Sequence, residues 1–406
     1  MTLRPFNNDL EDELAALRQA GLHRELRRID SPQGPRLQLG GCDFLNFSSN
    51  DYLGLAAHPA LKEAAVRAVE KFGAGAGASR LICGSLAPHH ELEERLADFK
   101  GTAAALSFSS GYATALGTLT ALVGKDDTVI LDRLAHACIV DAARLSGARL
   151  RVYAHNDPED LERKLRWAAG RHARAARPAG RRPRILIASE SVFSMDGDLA
   201  PLREIVELKD RYGAWLMLDE AHATGLFGAN RRGLAEAFGL ADRIEIQMGT
   251  LGKALGASGG YIAGSRPLID LLVHRARSFL FSTAPVPAAA AAAAAAIEVV
   301  RTEEGERRRA TVWSLVDQLK NGLLGRGGPW TLPLVQSPIL PLLIGDEQRA
   351  LRTAAALRDR GIFIPAIRYP TVGRGQARLR LTVTAAHSTS DLMEFLATLP
   401  HLPRET

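Results

Sequence analysis

Trp215-Leu216-Met217-Leu218-Asp219-Glu220-Ala221-His222 is the stretch on which the reading of this chain turns. Four apolar residues in succession that end on an acid predict a short strand buried on both faces. A second such run, Ile244-Glu245-Ile246-Gln247-Met248, leads into Gly249-Thr250-Leu251-Gly252-Lys253, a glycine-rich turn. In an open α/β sheet, ligands collect beyond the carboxyl ends of the strands. Asp219, His222, Thr250 and Lys253 are therefore expected to converge on one pocket.

The same pattern extends outward from that stretch. Short apolar runs at residues 103–108, 128–131, 149–153, 184–189, 215–219, 244–248 and 260–263 alternate with longer helical ones. This alternation predicts an α/β fold with a mostly parallel seven-stranded sheet covered on both faces. Ahead of it, Leu10, Leu14, Leu17, Leu22 and Leu26 recur between charges and predict an amphipathic helix or pair of helices over residues 10–28. An alanine-rich stretch, 288–299, follows Pro287 and predicts a long helix. Beyond it, helical residues 349–358 mix with strands at 339–344 and 378–383, so a smaller α+β domain is expected. The expected organisation is a helical segment 1–46, a large domain 47–287 and a small domain 288–406.

Composition sets bounds on function. At 406 residues and 46% hydrophobic content, the chain can bury a large core. Residues 1–9 contain no apolar stretch of signal-peptide type, and segment 284–300 is mostly alanine with Pro285 and Pro287, so neither export nor membrane insertion is expected. Cys42, Cys83 and Cys138 are odd in number and far apart, which fits a reducing cytoplasm and neither a disulfide frame nor a thiolate metal site. The net charge of +6 includes arginines crowded over residues 163–184: a solvated face, or a patch that attracts an anionic acyl carrier or nucleotide. Only Trp167 interleaves with them, so a nucleic-acid surface is not expected.

Lys253 and Asp219 together suggest a specific chemistry. A cofactor aldehyde needs an amine to hold it, and a pyridine nitrogen needs a carboxylate beside it to stay protonated as an electron sink; these are the requirements of a pyridoxal phosphate (PLP) site. His222 is close enough to reach the same pocket. Each residue alone has a plainer account: a surface lysine, a helix cap or metal ligand for Asp219, and a satisfied core histidine. A phosphate needs free amides at a helix start, and Ser109-Ser110-Gly111-Tyr112 opens a helix directly after a strand, which places Gly111 and Tyr112 for that role. Thr250 and the Ser282-Thr283 pair add hydroxyls, although turn and capping chemistry explains most such residues.

Two further motifs suggest other enzymes. Gly256-Ala257-Ser258-Gly259-Gly260 has the spacing of a hydrolase nucleophile elbow, but it precedes its strand where an elbow follows one. Gly73-Ala74-Gly75-Ala76-Gly77-Ala78 looks like a dinucleotide loop but follows the helical run 61–71 and not a strand.

Several longer motifs occur in one order: Asn46-Phe47-Ser48-Ser49-Asn50-Asp51-Tyr52-Leu53-Gly54-Leu55, Ser79-Arg80-Leu81-Ile82-Cys83-Gly84, Asp132-Arg133-Leu134-Ala135-His136-Ala137, Val192-Phe193-Ser194-Met195-Asp196-Gly197-Asp198, Asp219-Glu220-Ala221-His222 and Thr250-Leu251-Gly252-Lys253. From about Gly21 onward the chain resembles the α-oxoamine synthases, PLP-dependent transferases of fold type I that condense an amino acid with an acyl thioester and release carbon dioxide. Ala154-His155-Asn156-Asp157, residues 366–372 and residues 377–387 look most like the branch that joins L-alanine to a pimeloyl thioester of coenzyme A or acyl carrier protein. Tyr369 stands where that family often has proline.

The resemblance implies that Lys253 holds the cofactor aldehyde, Asp219 faces the ring nitrogen, and His222 and Ser194 lie on its phenolic side, while His136 stacks on its face and orients substrate. It implies cofactor contacts from Gly111, Tyr112 and Thr250, with Thr283 reaching the phosphate from the partner of a homodimer with shared sites. Arg24, Asn50 and Thr371 would touch substrate and Arg368 a carboxylate; no metal is expected. Open alternatives are a sister synthase taking glycine with acetyl- or succinyl-CoA or serine with a long acyl-CoA, a carrier-protein-dependent synthase of secondary metabolism, and a binding protein that keeps the fold without the chemistry.

Overall fold

The computed structural model describes residues 4–174, 182–326, 328 and 330–402. Its core is a seven-stranded sheet in the order Ala104–Phe108, Gly260–Gly264, Ile246–Thr250, Trp215–Asp219, Ile185–Glu190, Thr128–Asp132, Arg149–Tyr153. Gly260–Gly264 pairs antiparallel with both of its neighbours, so the other six strands run the same way. All seven expected strands are present, with ends shifted by no more than two residues. Strand 244–248 moves to Ile246–Thr250, because the Glu245 carboxylate is taken by the Leu216 amide and the Lys209 ammonium.

Burial explains the apolar runs. Every residue of Thr128–Asp132 and Ile185–Glu190 is buried, as sequences covered by helices on both faces must be. The covering helices start where capping side chains allow: Ser110 accepts from Ala113 N ahead of Gly111–Leu122, and Ser265 from Leu268 N ahead of Arg266–Arg275. The alanine-rich run forms Pro287–Arg301, whose buried face of Ala290, Ala293, Ala294, Ile297 and Val300 lets Pro59–Phe72 and Ala87–Lys100 approach closely.

The amino-terminal segment departs from expectation. Its helix is Arg4–Gln19 and not 10–28, because Gly21 takes φ +65 and turns the chain, leaving Leu22 and Leu26 outside. The remainder of the segment is not helical. Arg36–Leu39 and Cys42–Asn46 form a hairpin, and Ile362–Phe363 adds to it in parallel. Strand Ala377–Thr382 lies between Ile339–Gly345 and Ala366–Ile367 in the second small sheet. Thr382 N donates to the Phe47 carbonyl at 2.8 Å and Ala385 N to that of Tyr52 at 2.7 Å, fastening loop 47–52 to the carboxyl-terminal part of the chain.

Among the described residues no helix is long and apolar enough to cross a membrane, and no cluster of three or more His, Cys, Asp or Glu residues is arranged to hold a metal. Cys42, Cys83 and Cys138 are free. The basic segment begins in helix Pro158–Arg174, where Arg151 stacks 3.9 Å over Trp167; residues 175–181, with Arg177 and Arg181, lie outside the described residues. His172 meets the Thr128 hydroxyl, at the first residue of its strand, so this end of the segment sits at the amino edge of the sheet.

Because Ile187 is fully buried in a central strand, Ile187→Ala should cost about 2–5 kcal/mol, read as a lower urea midpoint at unchanged slope.

Candidate active site

Six strands running one way bring their carboxyl ends to one edge, and the chemical groups follow from there. Asp132, Glu190, Asp219 and Thr250 are the last residues of their strands, and Glu190, Asp219 and Met248 are cross-strand neighbours. The turns beyond them carry Ser109 to Tyr112, His136, Ser194, His222 and Lys253.

Lys253 Nζ lies 3.0 Å from His222 Nε2, and His222 Nδ1 lies 2.7 Å from the Tyr52 hydroxyl. Asp219 accepts from Ala221 N at 2.9 Å. Burial holds Lys253 below its usual pKa, although Asp219 and Glu190 pull it back up. It raises Asp219 against the opposing charge of Lys253 and drives His222 well below the ordinary imidazole value. His222 is thus a neutral ring beside the amine. The glycine-rich turn is shaped by contact: Gly256 takes φ +60 with its α-carbon against the Leu55–Ala56 backbone, where a Cβ would come within 2.5 Å of Ala56 N.

His136 caps helix Ala137–Leu145 and is exposed toward the cluster. Its Nδ1 accepts from Cys138 N at 3.2 Å, and its own amide donates to Glu190 at 2.6 Å. Burial and the nearby Asp219 charge push the Glu190 carboxyl up to about 8.

The expected phosphate groups are assembled here. The first-turn amides of Gly111 and Tyr112 have no helical acceptor, and a Cβ on Gly111 would meet Thr250 Cγ2 at 2.6 Å. Thr250 Oγ1 is buried without a partner. Free amides, an orphan hydroxyl, a recessed lysine and an acid at the strand end fit PLP. The Tyr112 side chain points away and donates to Asp141. Thr283 is exposed and hydrogen-bonds none of these residues.

Arg24, Arg368 and Thr371 line a separate cleft of about 930 Å³ between residues 23–37, the start of loop 46–52 and the small lobe, the part of the chain built on the sheet of Ile339–Gly345, Ala377–Thr382 and Ala366–Ile367. Its floor includes Leu37, Ala354, Phe363, Ile364 and Ile367. Arg368 donates to the His23 carbonyl at 3.1 Å and keeps its Nη1 buried without a partner. Asn50 is not part of the cleft lining; its Oδ1 accepts from Arg380 at 3.0 Å.

A lysine, an acid and an imidazole at the carboxyl edge of such a sheet, beside free helix amides, define a PLP-dependent transferase of fold type I. The chain belongs to the aminotransferase class I and II family, whose model matches residues 43–399, and within it to the α-oxoamine synthases. It is 52% identical over 395 residues to the 8-amino-7-oxononanoate synthase of Anaeromyxobacter dehalogenans, covering 96% of this chain and 95% of that one. A serine palmitoyltransferase variant from S. paucimobilis, solved with a bound PLP–myriocin aldimine, superposes with a TM-score of 0.88 at 30% identity over 99% of this chain and 98% of that one. The 8-amino-7-oxononanoate synthase of Francisella tularensis superposes at 0.71 with 25% identity over 88% and 97%.

Four groups of the site were not singled out from sequence. Glu190 is visible only as an acid ending a strand, whereas Tyr52 and Arg380 sit in quoted motifs that do not reveal their contacts. His155 bridges Asp132 at 2.9 Å and Asp198 at 2.8 Å, with its ring edge-on to Phe193. It ties the turn that leads to His136 to the loop that carries Ser194. Burial alone lowers the His155 pKa, but the two carboxylates outweigh it and carry it up to about 10. A group raised in the folded state stabilises fully below its unfolded value of 6.5 and loses that contribution as pH climbs through its folded value. Unfolding free energy should therefore fall between pH 6.5 and about 10 by an amount missing from His155→Asn, as measured by urea titration across that range.

Proposed function

We propose that the chain catalyses the decarboxylative condensation of L-alanine with a pimeloyl thioester to give 8-amino-7-oxononanoate, a step of biotin biosynthesis. The observation that carries this reading is the Lys253–His222–Asp219 arrangement in a chain so similar, from end to end, to synthases of that name.

PLP, when bound, supplies an aldehyde that takes up amines and a protonated ring that draws electrons from the amino acid's α-carbon. Asp219, at the end of its strand, would be the carboxylate that keeps the ring nitrogen protonated. Gly111, Tyr112 and Thr250 hold the phosphate. Ser194 and His222 would hold the phenolic oxygen, and His136 would contact the ring. Lys253 would hold the aldehyde, and its amine, kept below its usual pKa by burial, is the group placed to take the α-proton of alanine. The unpaired Nη1 of Arg368 is suited to a substrate carboxylate. The cleft beside it has apolar walls for a methylene chain, with Arg24 and Thr371 at its polar end.

The same reading makes the enzyme a homodimer, in which exposed Thr283 serves the partner's phosphate. The three free thiols support a reducing, cytoplasmic setting. The Arg171–Arg174 end of helix Pro158–Arg174 lies on the strand-start side, and of the helix's residues none lines this cleft.

The close superposition on serine palmitoyltransferase gives the sister reading, with serine as the amino acid. A spectral titration of the loaded enzyme separates them. Alanine should perturb the cofactor band at the lowest concentration and turn over with pimeloyl-CoA or pimeloyl-acyl carrier protein; a preference for serine or glycine overturns the proposal. Lys253→Ala should lower turnover by about 10²–10⁴-fold, the usual span of a general acid–base group. Arg368→Ala should raise the KM for alanine by about tenfold or more, the loss of one charge-assisted hydrogen bond.

A further inference from the structure

A chain of hydrogen bonds runs from the small lobe to Lys253, and the reaction as described leaves its outer members without a role. Arg380, 7% exposed in strand Ala377–Thr382, donates through Nη1 to Asn50 Oδ1 at 3.0 Å, through Nη2 to the Tyr52 hydroxyl at 3.4 Å, and through Nε to the Ser194 carbonyl. Tyr52, fully buried, meets His222 Nδ1 at 2.7 Å, and His222 Nε2 meets Lys253 Nζ at 3.0 Å.

A guanidinium can only donate, so the Tyr52 oxygen accepts from Arg380 and has one proton of its own to give. Two acceptors compete for that proton: Asn50 Oδ1 at 3.3 Å, already engaged by Arg380, and His222 Nδ1 at 2.7 Å. The shorter contact to the unengaged acceptor wins. Nδ1 of the neutral ring then accepts, and the ring proton sits on Nε2, facing Lys253. A nitrogen that meets an N–H must offer a lone pair, so Lys253 is an amine and not an ammonium.

We propose that Arg380 and Tyr52 are positioning residues that set the His222 tautomer, with its proton on Nε2, and thereby hold Lys253 in the neutral form that captures the cofactor aldehyde. The inference rests on the reading of Lys253 as the cofactor-binding amine. The reverse arrangement, with an ammonium at Lys253 donating to Nε2 and Nδ1 donating to Tyr52, pushes the hydroxyl proton onto the longer bond and places a second buried cation near Arg380. Lys253 is faced by Asp219 and Glu190 from the strand ends, by His136 and Cys138 from the adjoining helix start, and by Arg380 from the small lobe. The carboxylates favour its charged form, while burial and Arg380 oppose it.

The test uses full-length apoenzyme and PLP. The rate of imine formation is followed by absorbance from pH 6 to 10 for wild type, Tyr52→Phe and Arg380→Gln, alongside nitrogen NMR of the His222 ring. Wild type should show the proton on Nε2. Tyr52→Phe should capture PLP about tenfold more slowly near neutral pH, with the midpoint of its pH profile raised by about one unit, the equivalent of one tenfold change in amine fraction. Arg380→Gln, whose amide can accept as well as donate, should shift the midpoint the same way by less, and it keeps the question open to measurement if Tyr52→Phe does not fold. Slower capture with an unmoved midpoint, or a wild-type proton on Nδ1, overturns the proposal. Borohydride trapping separates the two levels: PLP fixed at a lysine other than Lys253 in wild type refutes the functional reading, and the relay proposal falls with it.

Discussion

Six strands of one sheet run the same way, and this constraint organises the rest of the molecule. It places Asp132, Glu190, Asp219 and Thr250 along a single edge, where three carboxyl groups lie close together and out of water. Buried carboxylates are tolerated only with partners. Asp132 is held by His155 and the amides of Leu134 and Asn156, Glu190 by the His136 amide, and Asp219 by the Ala221 amide. The groups that neutralise the strand ends are thus the ones that position the turns carrying His136, Ser194 and Lys253.

Much of this was legible in the sequence because its determinants are local. A strand covered on both faces must be apolar throughout, so runs such as Trp215 to Leu218 mark themselves. Polar residues directly after such runs have one destination, the carboxyl edge, and this located Asp219, His222, Thr250 and Lys253 without any long-range information. Gly111 was also readable, since a glycine opening a helix straight after a strand is where an anion fits.

The remainder depends on pairings across the chain. Nothing near Cys42–Asn46 announces that Ile362–Phe363 will pair with it, more than 300 residues later. Helix 10–28 was overextended because leucine spacing continued past Gly21, and a positive φ at glycine overrode that pattern. Tyr52, Glu190 and Arg380 were missed for a similar reason. Each is an ordinary residue in its own segment, and its role comes from partners distant in the sequence: His136 and Asp219 for Glu190, His222 and Arg380 for Tyr52.

Loop 46–52 connects the two lobes. On one side, Asn46, Ser48 and Ser49 line the cleft with Arg24 and Arg368; on the other, Asn50 and Tyr52 receive Arg380 and pass its influence to His222. The loop is fixed to the small lobe by the amides of Thr382 and Ala385. Strand Ala377–Thr382 makes the same connection from the other direction, since Arg378 holds Asp196 at 2.6 Å and Arg380 holds the carbonyl of Ser194. The cleft wall and the cofactor cradle therefore share one backbone segment, loop 46–52, and strand Ala377–Thr382 braces it.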